Sequence, residues 1–227
     1  MRADQLEKVR EKISEAARSV GRKTSEVQLI AVSKTVPAES VRGLYRLGVR
    51  SFAENYAQEA IEKQSQLADL KDIEWHFIGH LQTNKVKNVL GKFRLIHSVD
   101  RKNLVDELIR RASGPQEILI EVNLVGERSK SGCAPELLQD LVEHVCRQNQ
   151  VRLRGLMFMP PLGLPASEQE AYFARAQALR NEARKWVTPP HDLKELSMGT
   201  SHDFVNAIRG GSTMVRLGTI LFGERKA

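Results

Sequence analysis

Lys34 is the residue whose surroundings first suggest chemistry. It follows Leu29-Ile30-Ala31-Val32 and Ser33, where a surface lysine is out of place. Lysine is almost never fully buried unless paired. A partly desolvated lysine has a lowered amine pKa and becomes a nucleophile for carbonyl carbons. The plain alternative is a lysine whose apolar stem snorkels to a rim. Two other segments carry hydroxyls and glycines. One is Ser197-Met198-Gly199-Thr200-Ser201, leading into His202-Asp203; the other is Gly218-Thr219, directly after Arg216-Leu217. Glycine permits close backbone approach, hydroxyls donate to phosphate oxygens, and a helix N-terminus adds free amides. Ordinary turn and cap chemistry, with Ser201 or Asp203 as N-cap, would also account for them.

Other constellations carry less. His76 and His80 have metal-like spacing but no third ligand, so no metal site is expected. Glu54, Asp100 and Glu121 are available acids or bases, yet nothing in the sequence marks out a pair. There is no Gly-x-Ser-x-Gly and no defensible Ser-His-Asp order.

The elements that must position these residues follow from hydrophobic periodicity. Leu6, Val9, Ile13, Ala16 and Ala17 form one stripe of a helix over 2–20, stopped by Gly21. Strands are expected at Val27–Ser33, Val49–Ala53, Ile73–Ile78, Leu95–Val99, Ile118–Leu124, Leu153–Met159, Leu193–Met198 and Met214–Leu217. Helices are expected between them, over 39–47, 54–67, 81–90, 101–112, 134–148, 168–186 and 202–209. Eight strands, each separated by a helix, imply parallel pairing and a closed (β/α)8 TIM-type barrel over 1–227, with one extra helix before the first strand. The near-continuous Val/Ile/Leu runs fit strands covered on both faces. An open doubly wound sheet is the alternative, but no Gly-x-Gly-x-x-Gly follows the first strand.

Functional groups of such barrels gather at the C-terminal ends of the strands, and the loops after strands seven and eight often make a phosphate site. Lys34 ends strand one, Asn55 follows strand two, and the two hydroxyl-bearing segments end strands seven and eight. A nucleophilic lysine facing a phosphate site points to pyridoxal 5'-phosphate (PLP). These residues leave open a phosphosugar-type enzyme that uses Lys34 as a Schiff-base lysine without that cofactor.

Composition narrows the class. Hydrophobic residues at 41% and charged residues at 28% exclude a disordered or fibrous chain. No apolar run approaches the ~18 residues of a membrane span, and no apolar leader follows Met1, so a cytoplasmic protein without membrane contact is expected. The net charge is +7, but the basic residues are scattered among acidic ones and aromatics are 5%, which argues against nucleic-acid binding. Cys133 and Cys146 form no Cys-x-x-Cys pair and read as reduced structural thiols. On one helix they would lie ~20 Å apart, too far to bridge.

With these residues in hand, the chain resembles the YggS/PROSC family of PLP-binding, or PLP homeostasis, proteins from about residue 4 to 225. The motifs are Ala31-Val32-Ser33-Lys34-Thr35, Phe52-Ala53-Glu54-Asn55-Tyr56 and Trp75-His76-Phe77-Ile78-Gly79-His80-Leu81-Gln82-Thr83-Asn84-Lys85. Ser129-Lys130-Ser131-Gly132, Arg154-Gly155-Leu156-Met157 and Leu196-Ser197-Met198-Gly199-Thr200-Ser201-His202-Asp203 follow. The last are Gly211-Ser212-Thr213-Met214-Val215-Arg216-Leu217-Gly218-Thr219 and Phe222-Gly223. Ala53 stands where many members have Gly, and Thr200 where Met is frequent.

The resemblance implies a barrel of the alanine-racemase N-terminal-domain kind, without that enzyme's second domain. It implies an internal aldimine between PLP and Lys34. Ser197, Gly218 and Thr219 would hold the phosphate, helped by the amides of Met198 and Thr200. Asn55 would lie near the ring and Arg216 would face the pyridine nitrogen. The implied role is non-enzymatic: PLP and amino-acid homeostasis, with PLP buffered or delivered to apo-PLP enzymes by a monomer, and no catalytic residue. The other reading is a PLP-dependent enzyme, such as a slow racemase or transaminase. It needs a second acid or base, for which Tyr56 and His80 are the candidates.

Overall fold

The computed structural model describes residues 3–126 and 131–223. An N-terminal helix, α1 (Ala3–Ser19), precedes eight strands: β1 (Gln28–Val32), β2 (Ser51–Glu54), β3 (Glu74–Phe77), β4 (Leu95–Val99), β5 (Gln116–Val122), β6 (Val151–Phe158), β7 (Glu195–Ser197) and β8 (Met214–Leu217). All pair in parallel in sequence order, and β8 pairs back to β1, so the barrel is closed. Closure excludes the open doubly wound sheet.

The crossover helices are α2 (Ala38–Arg46), α3 (Ala57–Gln66), α4 (Lys102–Arg111), α5 (Pro135–Cys146), α6 (Ala166–Ala183) and α7 (Phe204–Arg209), with a last turn, α8 (Thr219–Phe222), after β8. The helix expected over 81–90 is a 3₁₀ segment at Thr83–Asn88. That stretch is rich in Asn and Thr, whose side chains compete with the helical backbone, and it buries little beyond Val86. Strand β2 runs two residues later than expected because Val49 still belongs to the turn, where its amide bonds Leu44 O at 3.1 Å. Helix α3 accordingly starts at Ala57, after the strand end and its following turn.

Two apolar layers hold the fold. The larger lies between the strands and the surrounding helices, α1 included, through Leu6, Val9 and Ile13. The smaller fills the barrel with Ile30, Val32, Ala53, Leu95, Leu119, Met157 and Met214. These are alternate residues along their strands, as the period of two requires. The same phase carried upward sends Lys34, Asn55, Glu121 and Arg216 inward at the C-terminal end. Gly79 is needed there for room, because a Cβ would sit 2.0 Å from the Asn55 carbonyl oxygen. Cys133 and Cys146 are both free thiols.

Candidate functional site

Lys34 is half-buried in the turn that ends β1. The turn is held from both sides. The Ser33 amide donates to Ala53 O at 2.9 Å, and the Ser33 hydroxyl donates to Glu54 Oε1 at 2.6 Å. On the other side, Thr35 has φ of 59° and its amide donates to Glu59 Oε1 at 2.6 Å. Glu54 is fully buried, and burial pushes its carboxyl upward against the pull of Lys63 and Ser33. Its Oε1 lies 2.5 Å from Lys63 Nζ.

On the neighbouring strand β8, where it pairs in register with Ile30, Arg216 is 3% exposed. It donates through Nη1 to Ser197 Oγ at 2.6 Å and through Nη2 to Phe158 O at 3.2 Å. Burial lowers its pKa to about 10, opposed by Glu121 and Asp203, so it stays protonated at neutral pH. Beneath it runs a buried chain: Ser197 Oγ to His97 Nδ1 at 3.0 Å, and His97 Nε2 to His76 Nδ1 at 2.9 Å. Burial lowers His76 to about 3 and His97 well below its usual value, so both rings are neutral. Ser197 Oγ accepts from Arg216; along the rest of the chain the histidine tautomers decide which atom donates, and His76 Nε2 ends it, buried and without a partner.

This differs from the expectation that Ser197 would hold a phosphate. Its hydroxyl is completely buried and committed to Arg216 and His97. Met198 and Thr200 differ likewise. The Met198 amide is spent on Met214 O at 3.1 Å, because the strand ladder continues one residue past β7. The Thr200 amide is taken by Asp203 Oδ1 at 2.6 Å, which also accepts the Thr200 hydroxyl. The remaining hydroxyl of this loop belongs to Ser201, whose Oγ accepts from the amides of Gly218 at 3.1 Å and Ile220 at 3.3 Å. Gly199 shapes the loop: its φ is +94°, and a Cβ there would meet Ala207 Cβ at 2.6 Å. Thr219 is exposed beside Gly218.

Asn55 sits between these groups, with its Oδ1 buried and unpartnered. Glu121 is half-buried on β5, and burial and Asp100 raise its pKa to about 7 against the pull of Arg216. Tyr56 and His80 stay at the rim, exposed; the His80 ring meets Ser131 Oγ at 3.2 Å. Ser129 and Lys130 lie outside the described residues. Among the described residues no cluster fit to hold a metal ion occurs, and no helix is long and apolar enough to cross a membrane.

Sequence reasoning passed over His97 and read Ser201 only as part of its loop or as an N-cap. His97 carries a signal, a polar ring inside the otherwise apolar Leu95–Val99 strand at an inward position. Ser201 carries none, since any hydroxyl of its loop would have served equally.

The residues fit PLP. An inward lysine, an orphaned amide oxygen and a protonated arginine converge from three strands. Two backbone amides at one rim meet on a single hydroxyl.

Comparison with known proteins agrees. The sequence profile of the alanine racemase N-terminal domain matches residues 5–226. The pyridoxal phosphate homeostasis protein of Aquifex aeolicus is 46% identical over 228 residues, 98% of each chain. Two structures of PipY from Synechococcus elongatus superpose closely. The form without PLP gives a TM-score of 0.86 at 39% identity, covering 97% of this chain and 99% of that one. The form with PLP bound gives 0.83 at 41% identity, covering 93% and 100%. By sequence along its whole length and by fold, this chain belongs to the pyridoxal phosphate homeostasis family, built on the alanine racemase N-terminal domain.

Proposed function

We propose that this protein binds PLP at the barrel mouth, keeps it on Lys34 as a reversible Schiff base, and acts as a buffer or carrier rather than an enzyme. The observation that carries this reading is that Lys34, Asn55 and Arg216 end the neighbouring strands β1, β2 and β8 at the same mouth as the Ser201 hydroxyl and the Gly218 and Ile220 amides. PLP, when bound, supplies an aldehyde that condenses with amines and a ring that takes up electron density. Lys34 contributes the nitrogen of the new C=N bond, and the aldehyde oxygen leaves as water. Ser201, Gly218 and Thr219 would hold the phosphate, which would take over the Gly218 and Ile220 amides that Ser201 Oγ accepts here. Asn55 offers its orphaned oxygen to a donor.

Arg216 bears on turnover. A guanidinium held by neutral acceptors keeps its protons. Facing the ring nitrogen, it disfavours protonation there and leaves a weaker electron sink than a carboxylate partner would give. The free thiols Cys133 and Cys146 suit a cytoplasmic setting, where apo-PLP enzymes are the recipients.

A second reading, slow racemisation or transamination, is favoured by one group. Glu121, with a pKa of about 7, is an inward carboxyl able to exchange a proton at neutral pH. The test of the main reading is the visible spectrum of the PLP-loaded protein, followed by transfer of PLP to an apo-enzyme. We expect a Schiff-base band lost in Lys34→Ala, and transfer faster than simple dissociation. A spectrum indifferent to Lys34→Ala would contradict the reading.

A further inference from the structure

The turn that presents Lys34 is anchored by a buried ion cluster. Lys63, on α3, is 5% exposed. Its Nζ lies 2.7 Å from the Ser33 carbonyl oxygen, 2.5 Å from Glu54 Oε1 and 3.0 Å from Glu59 Oε1. The same Glu54 oxygen accepts the Ser33 hydroxyl, and the same Glu59 oxygen accepts the Thr35 amide. The residues immediately before and after Lys34 are thus both tied to one set of three charges.

This cluster does more than stabilise the fold. A buried ion pair rarely outperforms a well-packed apolar pair, because desolvation offsets the attraction. Here the bonds go to the main chain and hydroxyl on either side of one residue. Thr35 is also left-handed, at φ of 59°. That conformation is a real outlier for a β-branched residue and persists only where the surroundings over-determine it. Glu59 supplies that constraint by accepting the Thr35 amide, and Lys63 holds Glu59 in place.

We propose that Lys63, acting with Glu54 and Glu59, is a positioning residue for Lys34. It fixes the Ser33–Thr35 backbone so that the Lys34 amine stands ready to condense with an aldehyde, forming C=N and releasing water. The proposal rests on the reading of Lys34 as the PLP-bearing lysine.

The test compares two ligands on the full-length protein. PLP can form the Schiff base; 4-deoxypyridoxine 5'-phosphate keeps the ring and phosphate but has a methyl group where the aldehyde was. Each is titrated into wild type, Lys63→Met, Lys63→Arg and Glu59→Ala. Losing a charge-assisted hydrogen bond should weaken PLP binding in Lys63→Met and Glu59→Ala by about tenfold or more. Binding of the deoxy compound should be unchanged, and Lys63→Arg should recover much of the loss. Equal losses for both ligands, or none, overturn the proposal. Glu59 is partly exposed, so if Lys63→Met fails to fold, unaltered PLP affinity in Glu59→Ala overturns it alone. A wild type that forms no Schiff base at Lys34 overturns the underlying reading, and this proposal with it.

Discussion

Arg216 Nη1 donates to Ser197 Oγ at 2.6 Å, at the head of a buried chain that runs through His97 to His76. With its hydroxyl engaged by Arg216 and His97, Ser197 is expected to support Arg216 rather than hold a phosphate. Ser197→Ala leaves a charged donor and His97 Nδ1 unsatisfied, which should cost about 1–3 kcal/mol of stability. Urea denaturation measures this. The ratio of PLP to pyridoxal affinity should stay as in wild type; a collapse of that ratio would return the phosphate role to Ser197.

Ser201 should behave in the opposite way. Its hydroxyl already occupies the point where the Gly218 and Ile220 amides converge. Ser201→Ala should weaken PLP by about tenfold, the worth of one charge-assisted hydrogen bond, and leave pyridoxal affinity nearly unchanged. Calorimetric titration of both ligands checks it. Equal affinity of the wild type for pyridoxal and PLP would remove the phosphate from this rim altogether.

The histidine pair makes a pH prediction with a definite sign. His76 falls to about 3 in the folded protein, and His97 is also strongly lowered. The unfolded chain binds protons on both near their usual pKa of about 6.5. Below that value the unfolded state holds more protons, so their stabilisation is fully present above it and is lost as pH falls toward 3. Each neutral ring contributes a slope of about 1.4 kcal/mol per pH unit across that window. The urea midpoint followed from pH 7 to 4 should fall with acid, and His76→Gln should make the fall shallower by one proton. An unchanged slope would mean that His76 is already protonated in the fold.

Glu121 provides the sharpest test of carrier against enzyme. The PLP-loaded protein, incubated in deuterated water with each common amino acid, should show no α-hydrogen exchange above the rate of free PLP. Rapid, stereospecific exchange with one amino acid, lost in Glu121→Gln, would establish the enzyme reading and make Glu121 its acid–base group.

Much of this was legible in the sequence, for physical reasons. Strands buried on both faces must be apolar throughout, so the eight strands stand out, and the period of two carries Ile30 and Val32 on to Lys34. The role of Ser197 was not legible. β7 is three residues long, and what Ser197 faces depends on β8 bringing Arg216 over it. Nor was Lys63: on an amphipathic helix a lysine reads as solvent-facing, and only the closure of α3 over the β1 turn buries it. The 3₁₀ segment at Thr83–Asn88 illustrates the limit of periodicity where too few apolar residues anchor a helix.

The central claim is that Lys34 carries PLP. The most direct measurement is borohydride reduction of the PLP-loaded protein, followed by proteolysis and mass mapping of the reduced adduct. The account predicts one adduct, on Lys34, and none in Lys34→Ala. A wild-type adduct on Lys85, Lys130 or another lysine in place of Lys34 would contradict it.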